Sequence, residues 1–448
     1  MADPRDEALA IAESAVVAAQ EAGATDADAV VAIVESFAVE ARGMEITELQ
    51  RSRGRSLVVR AFVGGRRAAL STTDLSPGAV SAAVRRAVES AAFVYDDPHA
   101  GLPDGTATAE LCDHDLATTA PEVAERADED KISEALAMER AMRAADVRIT
   151  NSDGSRLSDK TSSYALANTR GFRGVTQGTE ARRSASPVAA DGEVKRIGEY
   201  GTAGRGWAAC EPPEAVALHA VHRALALFGA RKPATTRCAV IFERDVAARV
   251  LADFFAAVTA SNVAVGNSWL TDRIGERIGA ERVTIVDDGL LRGGLGSGPF
   301  DAEGVPQRET VVMQNGVLRT FLADTYWGRR IGIPSTGNST GGGIGPTNLY
   351  LRPGSGTLDD LVASTERGVL VLDTIGFATE HASGTYSRGA RGIWIENGEP
   401  KYPVDEFTIA STFPEMFAAL DGIAGDLRFD GTIVSPSIRI AEMQLSGT

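Results

Sequence analysis

Asn315-Gly316, set between two β-forming runs, constrains this chain more than any other feature. Residues 310–314 and 317–322 are rich in β-branched, aliphatic and aromatic side chains. A two-residue type I′ turn needs φ > 0 at both central positions, which Asn-Gly adopts at least cost, so the segment is predicted as a tight antiparallel hairpin. Asp301, Glu303 and Arg308 precede it around Pro306, and a Gly-rich stretch, 335–345, follows. That stretch has few side chains to fix its path, and a hairpin beside such a loop is suited to form a cleft wall. Asn397-Gly398, between 392–396 and 400–403, predicts a second hairpin, and Gly64-Gly65, between 56–63 and 66–72, a third.

Helical and β-type segments share the remainder of the chain. Residues 6–22 are Ala-rich with few breakers and predict an opening helix, and 29–50 carry β-type alternation. Ser76-Pro77 places an N-cap and a first-turn proline ahead of Val80, Ala83, Val84, Ala87, Val88 and Ala91, which fall on one helical face. Residues 95–121 predict a long exposed connection, and 121–145 a helix broken near 128–130. Short strands are predicted at 147–151, 161–168, 171–179 and 181–190, with a covering helix at 212–229. RKPATTR at 231–237 has linker composition. Beyond it, 238–242 predicts a buried strand and 245–258 a helix. The expectation is an α+β protein of two domains: residues 1–230, with a mixed sheet and helices, and residues 238–448, β-rich with hairpins.

The chain has 448 residues, enough for two or three domains each with its own core. Its formal charge of −16 gives no general attraction for nucleic acid phosphates. The odd cysteine count (Cys112, Cys210, Cys238), without CxxC, points to thiols in a reducing compartment. The N-terminal residues lack the basic and apolar regions of a signal peptide, and no run of about 20 uncharged apolar residues occurs, so no membrane span and a cytoplasmic location are expected.

Several residue groups have the chemistry of a site, each against a plainer reading. His219 and His222 lie one turn apart on a predicted helix flanked by Cys210 and Cys238, but the spacings match no zinc pattern and an amphipathic surface helix explains them. His381 stands near Ser383, Tyr386 and Ser387, while GxSxG is missing and no orienting acid is visible. Asp287-Asp288 and Asp301-x-Glu303 suit a cation or an arginine, and equally a turn or a salt bridge. The Gly-rich 335–345 lacks GxxxxGK[ST] and a nearby lysine, so it is not a nucleotide loop.

The runs DAEGVPQRETVVMQNGVL, STGN and SRGARGIWIENGEPKYPV, together with STTDLSP, RITNSDG, ALALFGARKP, NSWLTDRIGERI and SPSIRIAEMQLSG, resemble the TldD/PmbA family in family order over nearly the whole chain. The resemblance is closer to the PmbA (TldE) branch. It implies a two-domain fold and a part in a peptidase. The TldD branch carries zinc on a His-Glu…His helix and a C-terminal cysteine. The corresponding residues here, 251–256, read LADFFA, in which Asp253 alone has a donor, and 426–448 contain no Cys or His. The family's G-D-[FY]-S near His381 reads Gly384-Thr385-Tyr386-Ser387 here. By resemblance, then, the chain is a zinc-lacking TldE-like subunit of a heteromeric TldD/TldE metallopeptidase for unfolded or precursor peptides. No catalytic residue, metal or cofactor is expected in it; a TldD-like partner would supply the zinc. Arg308, Asn338 and Arg388 are the expected polar groups of a peptide cleft. The alternatives are a stand-alone hydrolase using His381 or carboxylates, and a peptide-binding scaffold.

Overall fold

The computed structural model describes residues 4–105, 110–112, 114–376 and 379–448. The first half runs α1 (Pro4–Glu21), β1 (Asp26–Arg42), β2 (Glu45–Val63), β3 (Arg66–Thr72), α2 (Pro77–Ala91), α3 (Glu122–Glu125), α4 (Asp128–Ala145), β4 (Ile149–Asn168), β5 (Arg173–Asp191), β6 (Val194–Ile197), β7 (Tyr200–Gly204) and α5 (Pro213–Leu225). Its strands form one sheet in the order β3-β2-β1-β4-β5-β6, with β7 also on β5. The short strands expected between 147 and 190 are two long ones, because Ser155, Ser158 and Lys160, pairing with Ala185, Arg182 and Glu180, continue the ladder across what reads locally as a break. Every described pairing in this sheet is antiparallel, so the mixed pairing expected in the first half is found in the second.

Alternation decides which face of this sheet is covered. On β1, Val31, Ile33, Phe37 and Val39 are buried against the helices, while Val30, Ala32, Val34 and Ser36 on the other face are half-buried. The stripe on α2 packs as its spacing predicts, with Val80, Val84, Ala87, Val88 and Ala91 buried.

The second half runs β8 (Thr236–Phe242), α6 (Arg244–Ala257), α7 (Ala260–Ala264), β9 (Ile285–Asp288), β10 (Glu309–Gln314), β11 (Val317–Leu318), α8 (Thr325–Ile331), β12 (Leu349–Leu351), α9 (Leu358–Ala363), β13 (Arg367–Ile375), β14 (Thr379–Glu380), β15 (Thr385–Glu396), β16 (Glu399–Thr412), α10 (Phe413–Ala418), β17 (Leu420–Ile423), β18 (Ile433–Val434) and β19 (Ile438–Ser446). One sheet has the order β11-β10-β9-β12-β18 and another β13-β8-β19-β16-β15-β14. Pairs β12–β18 and β13–β8 are parallel. Between these sheets α6 buries Val246, Val250, Leu251 and Phe254 in the largest core, each worth about 1.5–3 kcal/mol if fully buried. Of the segment with linker composition, Thr236 and Arg237 already belong to β8, and the Arg231 guanidinium lies 3.4 Å from the Tyr402 ring centroid.

Both Asn-Gly turns form. Asn315 and Gly316 have φ of 50° and 76°, Asn397 and Gly398 of 54° and 74°, and Gln314 faces Val317 across the first turn. The return strand of that hairpin is shorter than its composition suggests, since only Val317 and Leu318 pair before the chain turns away.

Candidate functional site

Two loops of the second half, around 296–307 and 336–347, meet the half-buried face of the first sheet. Asp301 joins the two loops. Its Oδ1 accepts the backbone N–H of Glu303 and of Val305, each at 2.9 Å, and its Oδ2 accepts that of Ser339 at 2.9 Å. Asp287 does the same at the other end of the Gly-rich loop. It accepts from Asn338 Nδ2 at 2.6 Å and from the Thr347 backbone N–H at 2.9 Å. Burial pushes the Asp287 carboxyl up to about 6, against the donors from Asn338 and Thr347. Burial, then the charge of Glu303, pushes Asp301 up to about 7.

A buried ion cluster holds this unit to the first sheet. Asp28 on β1 and Arg60 on β2 are directly opposite each other, and Arg60 donates to both Asp28 oxygens at 2.8 and 2.6 Å. The same guanidinium reaches Glu303 Oε1 at 3.3 Å and the Ala302 carbonyl at 3.2 Å. Glu303 Oε2 in turn accepts the Thr325 N–H at 3.0 Å, at the start of α8. The sequence signal for this cluster was faint. The opposition of Asp28 and Arg60 follows from the β1–β2 register, which a bulge near Glu40 shifts by one residue.

Between the loops and the sheet lies a cavity of about 340 Å³, lined among others by Val30, Tyr164, Leu166, Phe300 and Asn338. A second cavity of about 220 Å³ continues it, sharing Tyr164, Thr176, Gly296, Phe300 and Gln307 and adding Lys160, Glu180 and Arg205. Arg205 fixes one wall by donating to the carbonyls of Gly294 at 2.6 Å, Leu295 at 2.9 Å and Ser297 at 3.2 Å. Sequence reading did not single out Tyr164, Thr176 or Arg205, because long-range packing gathers them.

The three expected cleft residues are not brought together. Asn338 is buried, lines the 340 Å³ cavity and is occupied with Asp287, the Gly345 carbonyl and Thr336, so it braces the loop. Arg308 is exposed, donates to the Ser335 carbonyl at 2.7 Å and lines a separate cavity of about 350 Å³ with Arg329. Arg388 lies on β15 against α6, where its Nη2 meets both oxygens of Asp253 at 2.9 and 2.7 Å.

The other sequence candidates are dispersed. His219 is half-exposed and sits 3.0 Å from Glu211, while Cys238 lies in the core of the second half. Ser383 Oγ is engaged with Glu380 at 2.9 Å and Thr385 at 2.8 Å, and the His381 carbonyl accepts from the Trp269 N–H. Where the family resemblance implies zinc ligands, Leu251 is buried among apolar neighbours, Ala252 and Ala256 have no donor atoms, and Asp253 is bound to Arg388. Among the described residues no three His, Cys, Asp or Glu side chains are grouped to hold a metal ion. This donor set does not fit a catalytic zinc.

Comparison with known proteins places this architecture. The PmbA/TldA metallopeptidase domain 1 matches residues 27–91, the central domain of that family residues 121–228, and its C-terminal domain residues 235–447. The chain is 31% identical over 440 residues to a metalloprotease PmbA homolog of Haemophilus influenzae, covering 97% of this chain and 94% of that one. It is 30% identical to the metalloprotease PmbA of Escherichia coli O157:H7, covering 98% and 96%. In fold it is similar to a protein of Bacteroides thetaiotaomicron described as a candidate modulator of DNA gyrase, with a TM-score of 0.93, 24% identity and full coverage of both chains. It is similar also to TldE of Thermococcus kodakarensis, with a TM-score of 0.89, 20% identity and coverage of 97% and 99%. Matched in all three domain types and along almost its whole length, this chain belongs to the TldD/PmbA family.

Proposed function

We propose that this chain is the non-hydrolytic, peptide-holding subunit of a two-component cytoplasmic peptidase, with a TldD-like partner supplying the zinc. The observation that carries the reading is the Arg388–Asp253 ion pair on α6. At the place where the family's metal helix would present its ligands, this chain has an apolar face and one carboxylate already bound to a guanidinium. Water activation at neutral pH by a metal needs open coordination and several donors, which this helix lacks. The groove between the loops and the first sheet supports a role in holding substrate. Unfolded or precursor peptides suit such an open groove, and the names of the curated relatives, metalloprotease PmbA among them, agree with a place in proteolysis.

The test is peptide cleavage by this chain, by a TldD-like partner and by their mixture, with and without chelator. Activity confined to the mixture and abolished by chelator is expected. Cleavage by this chain alone that survives chelator would replace the proposal with a stand-alone hydrolase. Full activity of the partner alone would leave this chain a scaffold.

A further inference from the structure

The two compartments of the groove differ in chemistry. The 340 Å³ cavity is walled by Val30, Leu166, Phe300, Ala302 and Pro346, and its carboxylate, Asp301, is turned into backbone N–H groups. The 220 Å³ cavity contains Lys160, Glu180 and Arg205. Tyr164 and Thr176 are directly opposite on β4 and β5 and belong to both, so they form the saddle between them.

Charge at the second compartment is unbalanced in a direction opposite to that of the whole chain. Lys160 and Glu180 are cross-strand neighbours at 3.2 Å, and Arg182 also binds Glu180. Arg205 lies alongside without an ion pair of its own among the described residues, and Glu180 is the acid whose charge acts on it. Lys160 and Arg205 therefore line a compartment whose one carboxylate, Glu180, is also bound by Arg182, in a protein of formal charge −16. Arg205 spends its N–H groups on backbone carbonyls of the loop at 294–297 and of Thr179 on β5, whereas Lys160, with nearly half its side chain exposed, has ammonium N–H groups beyond the one facing Glu180.

We infer that the groove selects an extended peptide segment bearing an apolar side chain for the Val30–Phe300 cavity and, beside it, an Asp or Glu side chain for Lys160. The apolar cavity offers hydrophobic burial to one aliphatic or aromatic side chain, and the cationic compartment adds complementarity that a Lys or Arg in the peptide would forfeit. The inference rests on the proposed peptide-holding role, but binding to this chain alone tests it without hydrolysis.

Fluorescein-labelled, C-terminally amidated peptides carrying Leu-Glu, Leu-Lys or Ser-Glu at their centre would be titrated with this chain at low salt and followed by anisotropy. Leu-Glu is expected to bind about tenfold tighter than either of the others. Lys160→Glu should abolish the preference for Glu over Lys, and Lys160→Arg should retain it. Thr176→Trp, which fills the saddle, should weaken every Leu peptide. Thermal melts of each variant separate loss of binding from loss of fold. Equal affinity for Leu-Glu and Leu-Lys, or a preference unchanged in Lys160→Glu, overturns the inference. The same preference for a free-acid peptide lacking Glu would assign the cationic compartment to a C-terminal carboxylate and equally overturn it. Selective binding together with a mixture that cleaves no peptide would uphold the inference and remove the peptidase reading instead.

Discussion

A buried arginine and a half-buried one do opposite work in this molecule. Arg60 binds Asp28 beside it on the sheet and Glu303 in a loop 243 residues away, so one guanidinium fastens the two halves together. Arg388 binds Asp253 within the second half and ties β15 to α6. The first cation is shared by two carboxylates that burial would otherwise leave at great cost. A buried ion pair seldom adds much net stability against an apolar replacement, yet removing one partner is expensive. The difference between the two sites is therefore read from what each removal leaves behind.

The largest effect is expected at the first site. Arg60→Met leaves Asp28 and Glu303 buried without their cation and should cost about 3–5 kcal/mol in denaturant unfolding. A loss below about 1 kcal/mol would mean that the cluster is not closed as described. Next in size is the hairpin turn. Gly316 has φ of 76°, and a Cβ there would lie 2.1 Å from the Gly279 carbonyl oxygen, so Gly316→Ala should cost about 1–3 kcal/mol. Gly64, with φ of 62° and open space around it, should lose only about 1 kcal/mol on the same change, and equal losses would show that the turn alone, not its packing, matters. Arg388→Ala should cost about 1–2 kcal/mol, because Asp253 keeps some access to water, and the double variant with Asp253→Ala should recover part of the loss. Failure of the double variant to recover would separate the two residues energetically.

The last expected effect is read as a slope with pH. Asp301 and Asp287 have folded-state values raised to about 7 and about 6, above the ordinary 3.8. The folded chain therefore holds protons that the unfolded chain releases. The stability they contribute is fully present below about pH 4 and is lost as pH rises through 6 to 7, at no more than about 1.4 kcal/mol per pH unit for each proton. Melting midpoints should fall as pH rises from about 4 to about 7, and Asp301→Asn should flatten that slope. A slope that is unchanged in the variant would assign the dependence to other groups.

Among the described residues no helix is long and apolar enough to cross a membrane. Local signals gave the hairpins and the α2 stripe, because a turn type and a helical face are fixed by residues a few positions apart. That residues 251–256 offer one donor side chain, Asp253, was equally legible, since donor chemistry belongs to the side chain itself. Strand length was misjudged where Ser and Gly interrupt the β pattern, because pairing with β1 and β5 on both sides supplies what local preference lacks.

The candidate site lies at the other extreme. Asn338 was legible as a loop residue, but its partner Asp287 is 51 positions away, and Lys160 meets Glu180 only through the β4–β5 register. By itself the sequence determined the α+β class, the turns and the single donor side chain at 251–256 of α6, all set by composition and short-range geometry. Tertiary structure alone decided that Arg60 seals the two halves, that Arg388 is spent on Asp253, and that a groove with one apolar and one cationic compartment opens between them. Those outcomes depend on register and on the docking of distant loops, and a single residue of slip in either would turn the same side chains to another face.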